Sequence, residues 1–127
     1  MAIKFKLVAK KNPQDFAAAP KFYAQVVPTG KDSTATLAKE IAQNTTMGRA
    51  DIVGVLTALG EVVANRLAMG RTVDLLDLCI ISPKISSEGV ESEAVFNAGR
   101  NIRKVGVNIR AKKNLIQAVE NAGVQKG

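Results

Sequence analysis

The stretch that decides the fold is "LAKEIAQNTTMGRADIVGVLTALGEVVANRLAMGRTVDL", residues 37–75. Its apolar residues recur at spacings of three and four, which is the period of a helix with one apolar face. The pattern predicts a short helix from residue 33 or 34 to about residue 44, followed by a longer helix. Gly48 is a suitable N-cap for the longer helix and Gly70 is a suitable stop, so two consecutive helices are expected.

Upstream of the helices, two segments have the pattern of strands. In "IKFKLVAK", residues 3–10, Ile3, Phe5 and Leu7 alternate with Lys4 and Lys6, which is typical of a half-buried strand. The segment "KFYAQVV", residues 21–27, predicts a second strand before the turn "PTGKDS". The two strands are expected to form an antiparallel hairpin.

Downstream of Gly70 the pattern changes to strands and then returns to a helix. The segments "RTVDLL" and "LCIISPKIS" predict two strands joined by a turn at Asp77. Pro83 cannot donate a hydrogen bond within a sheet, so the second strand is expected to lie at an edge or to leave the sheet there. A third strand over residues 101–110 and a helix over residues 111–123 complete an α+β order of β, β, α, α, β, β, β, α.

Composition narrows the class of function. A chain of 127 residues suits one domain, and a net charge of +7 favours a polyanionic partner without identifying it. One cysteine and no histidine exclude an internal disulfide and leave no plausible zinc site, and no cofactor is expected. The chain has no signal-peptide core and no apolar run of membrane-spanning length. We therefore expect a cytoplasmic protein without a membrane partner.

The stretch "EGVESEAVFNAGRNIRKVGVNIR", residues 88–110, begins with three glutamates and then turns basic. Close carboxylates can serve as an acid and base pair or as a cation loop. The ligand spacing of a calcium loop is missing, however, and no set of nucleophile, base and orienting residue can be assembled. The glutamates are therefore interpreted as the solvated tip of a hairpin, and no catalytic or metal-binding residues are expected.

In order, spacing and residue type, residues 34–122 resemble the HU and integration host factor family of bacterial nucleoid proteins. The resemblance is carried by the helix pair with its following "G-x-x-V-x-L" strand, residues 37–75, and by the closing "IRAKKNLIQAV". It implies two helices, a three-stranded antiparallel sheet with a β-arm and a C-terminal helix, assembled as an intertwined homodimer. Residues 1–33 look like the N-terminal β extension of a divergent HU-related group, which leaves 34–127 as the HU-like domain.

The same resemblance implies binding of double-stranded DNA by a saddle of sheets with two β-arms that enter the minor groove. The implied phosphate contacts are Lys84 at the arm base, Arg100, Arg103 and Lys104 in the arm, and Arg110, Lys112 and Lys113 towards the saddle.

Two departures from the family pattern affect this expectation. Asp77, Leu78 and Cys79 stand where the family has a "G-F-G" turn, and the arm "SSEGVESEAVFNAGRN" lacks the proline of the family's "R-N-P". Kinking of DNA by an inserted proline is therefore not expected. Phe96 or Val95 is the candidate for an apolar wedge in its place.

Two hypotheses follow. The first is a homodimeric nucleoid protein that binds double-stranded DNA with low sequence specificity; the second is an HU-like assembly module that has lost DNA binding and contacts a protein partner through its N-terminal hairpin. The hairpin lysines leave both open, because they could extend a DNA-contacting surface or only protect edge strands from aggregation. These are Lys4, Lys6, Lys10, Lys11 and Lys21.

Overall fold

A computed structural model of the chain describes residues 2–15 and 17–127. Within these residues it has the predicted α+β composition, with four α-helices and two small sheets. The elements run β1 (Ile3–Lys10), β2 (Lys21–Val26), α1 (Thr34–Asn44), α2 (Arg49–Ala68), β3 (Val73–Leu75), β4 (Cys79–Ser87), a 3₁₀ helix (Glu93–Val95), α3 (Ala98–Asn101), β5 (Ile102–Ala111), α4 (Lys113–Ala122) and β6 (Val124–Lys126). The chain divides into two compact units, residues 1–33 with 116–127, and residues 34–115.

The first unit contains a sheet with the strand order β2-β1-β6. β1 and β2 form the predicted antiparallel hairpin, in register from Phe5 with Val26 to Lys10 with Lys21. β6 pairs with β1 in parallel and was not predicted, because three residues are too few to reveal a period. Two backbone hydrogen bonds lie at the ends of this pairing, from Ile3 N to Gly123 O and from Gly127 N to Phe5 O, both 2.9 Å.

The second unit begins with the two predicted helices. α2 starts after Gly48, whose extended φ of −75° and ψ of 158° suit an N-cap, and Asp51 lies in the first turn. After α2 ends at Ala68, Gly70 adopts a φ of +80°, the left-handed conformation that glycine reaches without steric cost. The helix boundaries predicted from the sequence are therefore confirmed.

The helix pair has a small buried core. Among the described residues, Ala38 on α1 and Ile52 on α2 are the buried apolar side chains. The remaining apolar stripe of α2 is largely accessible, with Val55 at 55% and Val62 at 50% of their full exposure. Much of the apolar face that the sequence predicts for this helix is therefore not covered by the described part of the chain.

The sheet of the second unit has the strand order β3-β4-β5 and is antiparallel throughout. The turn between β3 and β4 lies at the expected place, with Leu76 at a positive φ of 46°. Of the two alternatives predicted at Pro83, the structure agrees with an edge position, because β4 stays paired with β5 as far as Ser87 and does not leave the sheet. Since β3 pairs only with residues 79–81, Pro83 lies on a part of β4 that is paired on one side.

The predicted C-terminal helix is confirmed as α4, which ends immediately before Gly123 at a φ of +72°. The boundary between the two units falls within α4, between residues 115 and 116. Among the described residues, no helix has the combination of length and apolar character needed to cross a bilayer.

Candidate nucleic-acid interface

The pairing of β4 with β5 sorts their side chains onto two faces. Directly opposite residues share a face, and successive residues along a strand alternate between faces. One face, called the basic face below, carries Lys84, Lys104 and Arg110. Its other members are Ile80, Ser82, Ser86, Gly106 and Asn108. The register thus brings three predicted site residues onto one surface.

The opposite surface of the same two strands, called the apolar face below, has a contrasting composition. Its members are Cys79, Ile81, Pro83, Ile85, Val105, Val107, Ile109 and Ala111. Ile85, Val105 and Ile109 retain 65%, 70% and 66% of their full exposure. This sheet is therefore amphipathic, and much of its apolar face is not covered by the described chain.

Lys84 extends across the basic face towards β5. It lies opposite Gly106, and a Cβ atom added to Gly106 would be 3.2 Å from Lys84 Cε and 3.8 Å from Lys84 Cγ. The absence of a side chain at Gly106 leaves room for the aliphatic stem of Lys84. The ammonium group can then reach beyond the strand pair while the stem stays in contact with it.

Lys112 is held more tightly than the other cations of the site. Its Nζ donates hydrogen bonds to Asp74 Oδ1 and to the backbone oxygen of Leu76, and its backbone N donates to Leu78 O at 2.9 Å. Asp74 faces the same side as Arg110, because both are paired with Ile80. Lys112 therefore fastens the end of β5 to the β3–β4 turn, and much of its charge is compensated. Lys113 follows as the first residue of α4.

Arg103 occupies an irregular position in the arm. Ser86 pairs with Lys104, but the next residue, Ser87, pairs with Ile102, so Arg103 is the extra residue of a β-bulge. A guanidinium nitrogen of Arg103 lies 3.7 Å from Glu88 Oε2, and both side chains are substantially exposed. The bulge takes Arg103 out of the regular alternation that orders Lys104 and Arg110.

Arg100 lies on the short helix α3 before β5. Asn97 caps this turn of helix, and β5 starts at Ile102, one residue after the predicted start of the strand. Arg100 therefore belongs to the tip of the arm rather than to its paired strands.

The tip of the arm has an ordered hydrogen-bond network that the sequence interpretation missed. Asn97 Oδ1 accepts from Gly99 N at 3.0 Å, and the buried Asn101 accepts through Oδ1 from Asn97 N at 2.7 Å. Glu88 N donates to Asn101 O at 2.9 Å and closes the base of the tip. The one sequence signal was Asn97, since asparagine before a short polar segment is a common helix N-cap.

The surface of the tip is acidic and apolar. Glu91 and Glu93 are exposed, and so are Val95 and Phe96, the two candidates for an apolar wedge. A negative tip repels phosphate, so the cations available for an anion lie along the paired strands. Across residues 2–15 and 17–127, no group of three metal-ligating side chains could hold an ion.

Residues 1–126 match the family HU-HIG, described as "HU domain fused to wHTH, Ig, or Glycine-rich motif". No curated protein matches the sequence.

The chain also resembles solved structures. One is a Bacteroides vulgatus ATCC 8482 protein, provisionally described as a bacterial DNA binding protein, whose crystal structure was determined at 2.25 Å resolution. The similarity has a TM-score of 0.67 at 21% sequence identity, and it covers 98% of this chain. It covers 47% of the other chain, so the present chain spans about half of that protein's length.

Proposed function

This chain belongs to the HU-HIG family, in which an HU domain is fused to a wHTH, Ig or glycine-rich motif, and from that premise we propose that it binds double-stranded DNA. The binding has low sequence specificity and needs no catalytic residue or cofactor. The provisional description of the Bacteroides vulgatus protein as DNA binding agrees with this role. The protein acts on the bacterial nucleoid, as an HU-like binding module formed by residues 34–127.

The observation that carries the proposal is the basic face of β4 and β5. Lys84, Lys104 and Arg110 share that surface, and the groups between them are mainly small or uncharged polar side chains. Lysine and arginine side chains on such a surface contact phosphate oxygens, which fix the position of a duplex but carry no sequence information. Low specificity follows from contacts of this kind.

In this proposal, the other predicted residues contribute unequally to DNA binding. Lys113 and Arg100 add positive charge at the two ends of the site, and Arg103 must leave its exposed contact with Glu88 to reach a phosphate. Lys112 contributes least, because Asp74 and Leu76 already occupy its ammonium group. Val95 and Phe96 are the apolar groups at the arm tip that could enter a base step.

Homodimerisation belongs to the same proposal. A folded monomer of 13.5 kDa exposes roughly 6,500 Å² by the usual size scaling, whereas this chain exposes 10681 Å². The apolar face and the α2 stripe account for exposed side chains of the kind that a second copy would bury. An intertwined dimer would also present two basic faces and two arms to one duplex.

The test is a titration of a mixed-sequence duplex at several salt concentrations. Log K should fall linearly with log salt, with a slope of about −0.9 for each phosphate neutralised. The triple variant Lys84→Gln/Lys104→Gln/Arg110→Gln should reduce the magnitude of that slope by up to about 2.7 for each protomer that contacts the duplex. Ser82→Gln, on the same face, is the neutral control and should leave the slope unchanged. Absence of binding by the wild-type protein even at low salt would refute the proposal.

A second candidate is the assembly module without DNA binding. The observation that favours it is the free edge of β2, the outer strand of the order β2-β1-β6, where an extended segment of a partner protein could add a strand. The same titration distinguishes the assembly module from a DNA-binding protein, because an assembly module would dimerise without binding the duplex.

A further inference from the structure

The sheet of the first unit carries a second basic surface that the proposed site does not use. The register pairs Lys6 with Gln25 and Lys10 with Lys21. By strand alternation, Lys4 lies on the same side as Lys6 and Lys10. These four lysines, Lys4, Lys6, Lys10 and Lys21, define what is called the lysine face below.

The contact between Lys10 and Tyr23 supports this assignment. Lys10 Nζ lies 5.9 Å from the centroid of the Tyr23 ring, and Tyr23 is paired with Val8, which has the same parity as Lys6 and Lys10. Lys10, Lys21 and Tyr23 also line a shallow depression together with Lys11. The end of the lysine face is thus a concave, positively charged surface.

The charge of the lysine face is not compensated by aspartate or glutamate side chains on that face. The other members of the face are Val8, Tyr23, Gln25 and Gln125, none of which is acidic. The ion pairs within the described part of the chain join Arg103 to Glu88 and Lys112 to Asp74, and neither involves this sheet. All four lysines are exposed. Their ammonium groups are therefore open to an external anion.

The spacing of these lysines suits a linear polyanion. Residues that alternate on one face of a strand are about 7 Å apart, so the row from Lys4 to Lys10 spans roughly 20 Å. A single strand of duplex DNA carries a phosphate about every 3.4 Å along the helix axis. The row thus parallels a backbone segment of several phosphates, whereas a single small anion could contact only part of it.

We propose that the lysine face is a second phosphate-contacting surface, which binds the backbone of double-stranded DNA in addition to the basic face. The inference rests on the proposed DNA binding and extends it to lysines of residues 1–33, outside the HU-like module of residues 34–127. It assigns the hairpin lysines a role that protection of sheet edges does not require, because edge protection needs charge but no salt-dependent contact with a ligand.

The experiment compares two full-length variants in which equal charge is removed. The lysine-face variant is Lys4→Gln/Lys6→Gln/Lys10→Gln/Lys21→Gln. The matched control, Lys31→Gln/Lys39→Gln/Arg71→Gln/Lys126→Gln, removes four cations outside both basic surfaces. Circular dichroism establishes that both variants are folded, and a salt titration with the same mixed-sequence duplex measures the slope of log K against log salt.

The lysine-face variant should reduce the magnitude of the slope by about 0.9 for each phosphate that is no longer neutralised, and so by up to about 3.6 for each protomer that contacts the duplex, while the control changes it by less than about 0.9 per protomer. A third variant, with the four lysines changed to arginine, should retain the wild-type slope because it retains the charges. Equal slopes for the lysine-face variant and the control would overturn the inference, including the case in which the face binds an acidic protein instead.

This failure is distinguishable from failure of the proposed function. If the wild-type protein binds and only the basic-face variant reduces the slope, DNA binding stands and the lysine face has no part in it. If the wild-type protein does not bind duplex at low salt, both proposals fall together.

Discussion

The two sheets of this protein differ in how they carry their charges. Each has three strands, an apolar face and a face rich in cations. In the β3-β4-β5 sheet, Asp74 compensates Lys112 and Glu88 lies near Arg103. The lysine face of the β2-β1-β6 sheet has no aspartate or glutamate side chain among its paired residues. A count of lysines and arginines therefore misjudges which sheet has charge available for an external anion.

The largest expected effect concerns the apolar face of the β3-β4-β5 sheet. Ile109→Asp places a carboxylate where a second copy should cover the sheet. An unpaired charge buried in this way costs about 3 kcal/mol or more, so the dimer should dissociate and the midpoint of thermal unfolding should fall. Analytical ultracentrifugation and a thermal melt measure the two effects.

Asn108→Asp is the matched control, since Asn108 is the neighbour of Ile109 on the basic face. This substitution should leave the dimer intact while weakening DNA binding. A dimeric Ile109→Asp variant with an unchanged melting midpoint would show that the apolar face of this sheet is not an interface.

A smaller effect on stability is expected at the glycines that follow α2 and α4. Gly70 and Gly123 both adopt positive φ, and a Cβ atom at either position would meet no atom within 4 Å. Gly70→Ala and Gly123→Ala should therefore each lower the free energy of unfolding by about 1 to 2 kcal/mol through backbone strain alone. Urea denaturation measures the change.

Gly60→Ala is the control, and the expected change in the free energy of unfolding has the opposite sign. Gly60 lies within α2, has ordinary helical φ and has open space at its Cβ position. Alanine there should stabilise the protein by about 0.5 to 1 kcal/mol. If Gly123→Ala alone were neutral, the β6 pairing that follows Gly123 would contribute little to the stability of the first unit.

The smallest expected change in stability tests the charge compensation in the β3-β4-β5 sheet. Asp74→Asn removes the carboxylate beside Lys112 and should lower the free energy of unfolding by less than about 1 kcal/mol, as for other partly exposed ion pairs. DNA affinity should rise, because a negative charge leaves the basic face and Lys112 becomes available. Tighter duplex binding by Asp74→Asn than by wild type checks this; weaker binding would mean that Asp74 positions the site.

The local pattern of residues was sufficient to predict most of the secondary structure. The three-and-four spacing located α1 and α2, and alternation located β1 and β5 with errors of about one residue. Glycine marked the ends of α2 and α4. These features depend on interactions within a few residues, so they can be predicted from a single sequence.

Tertiary structure decided which distant residues meet. The parallel pairing of β6 with β1 joins the two ends of the chain, and Lys112 meets Asp74 across 38 positions of sequence. Neither pairing produces a periodic pattern in the sequence, because each depends on how the elements between the two partners fold. The same reason applies to the predicted phosphate contacts. The sequence did not distinguish between Lys84, Lys104, Arg110 and Lys112. In the folded chain, Asp74 compensates the charge of Lys112, and the other three side chains lie on one face.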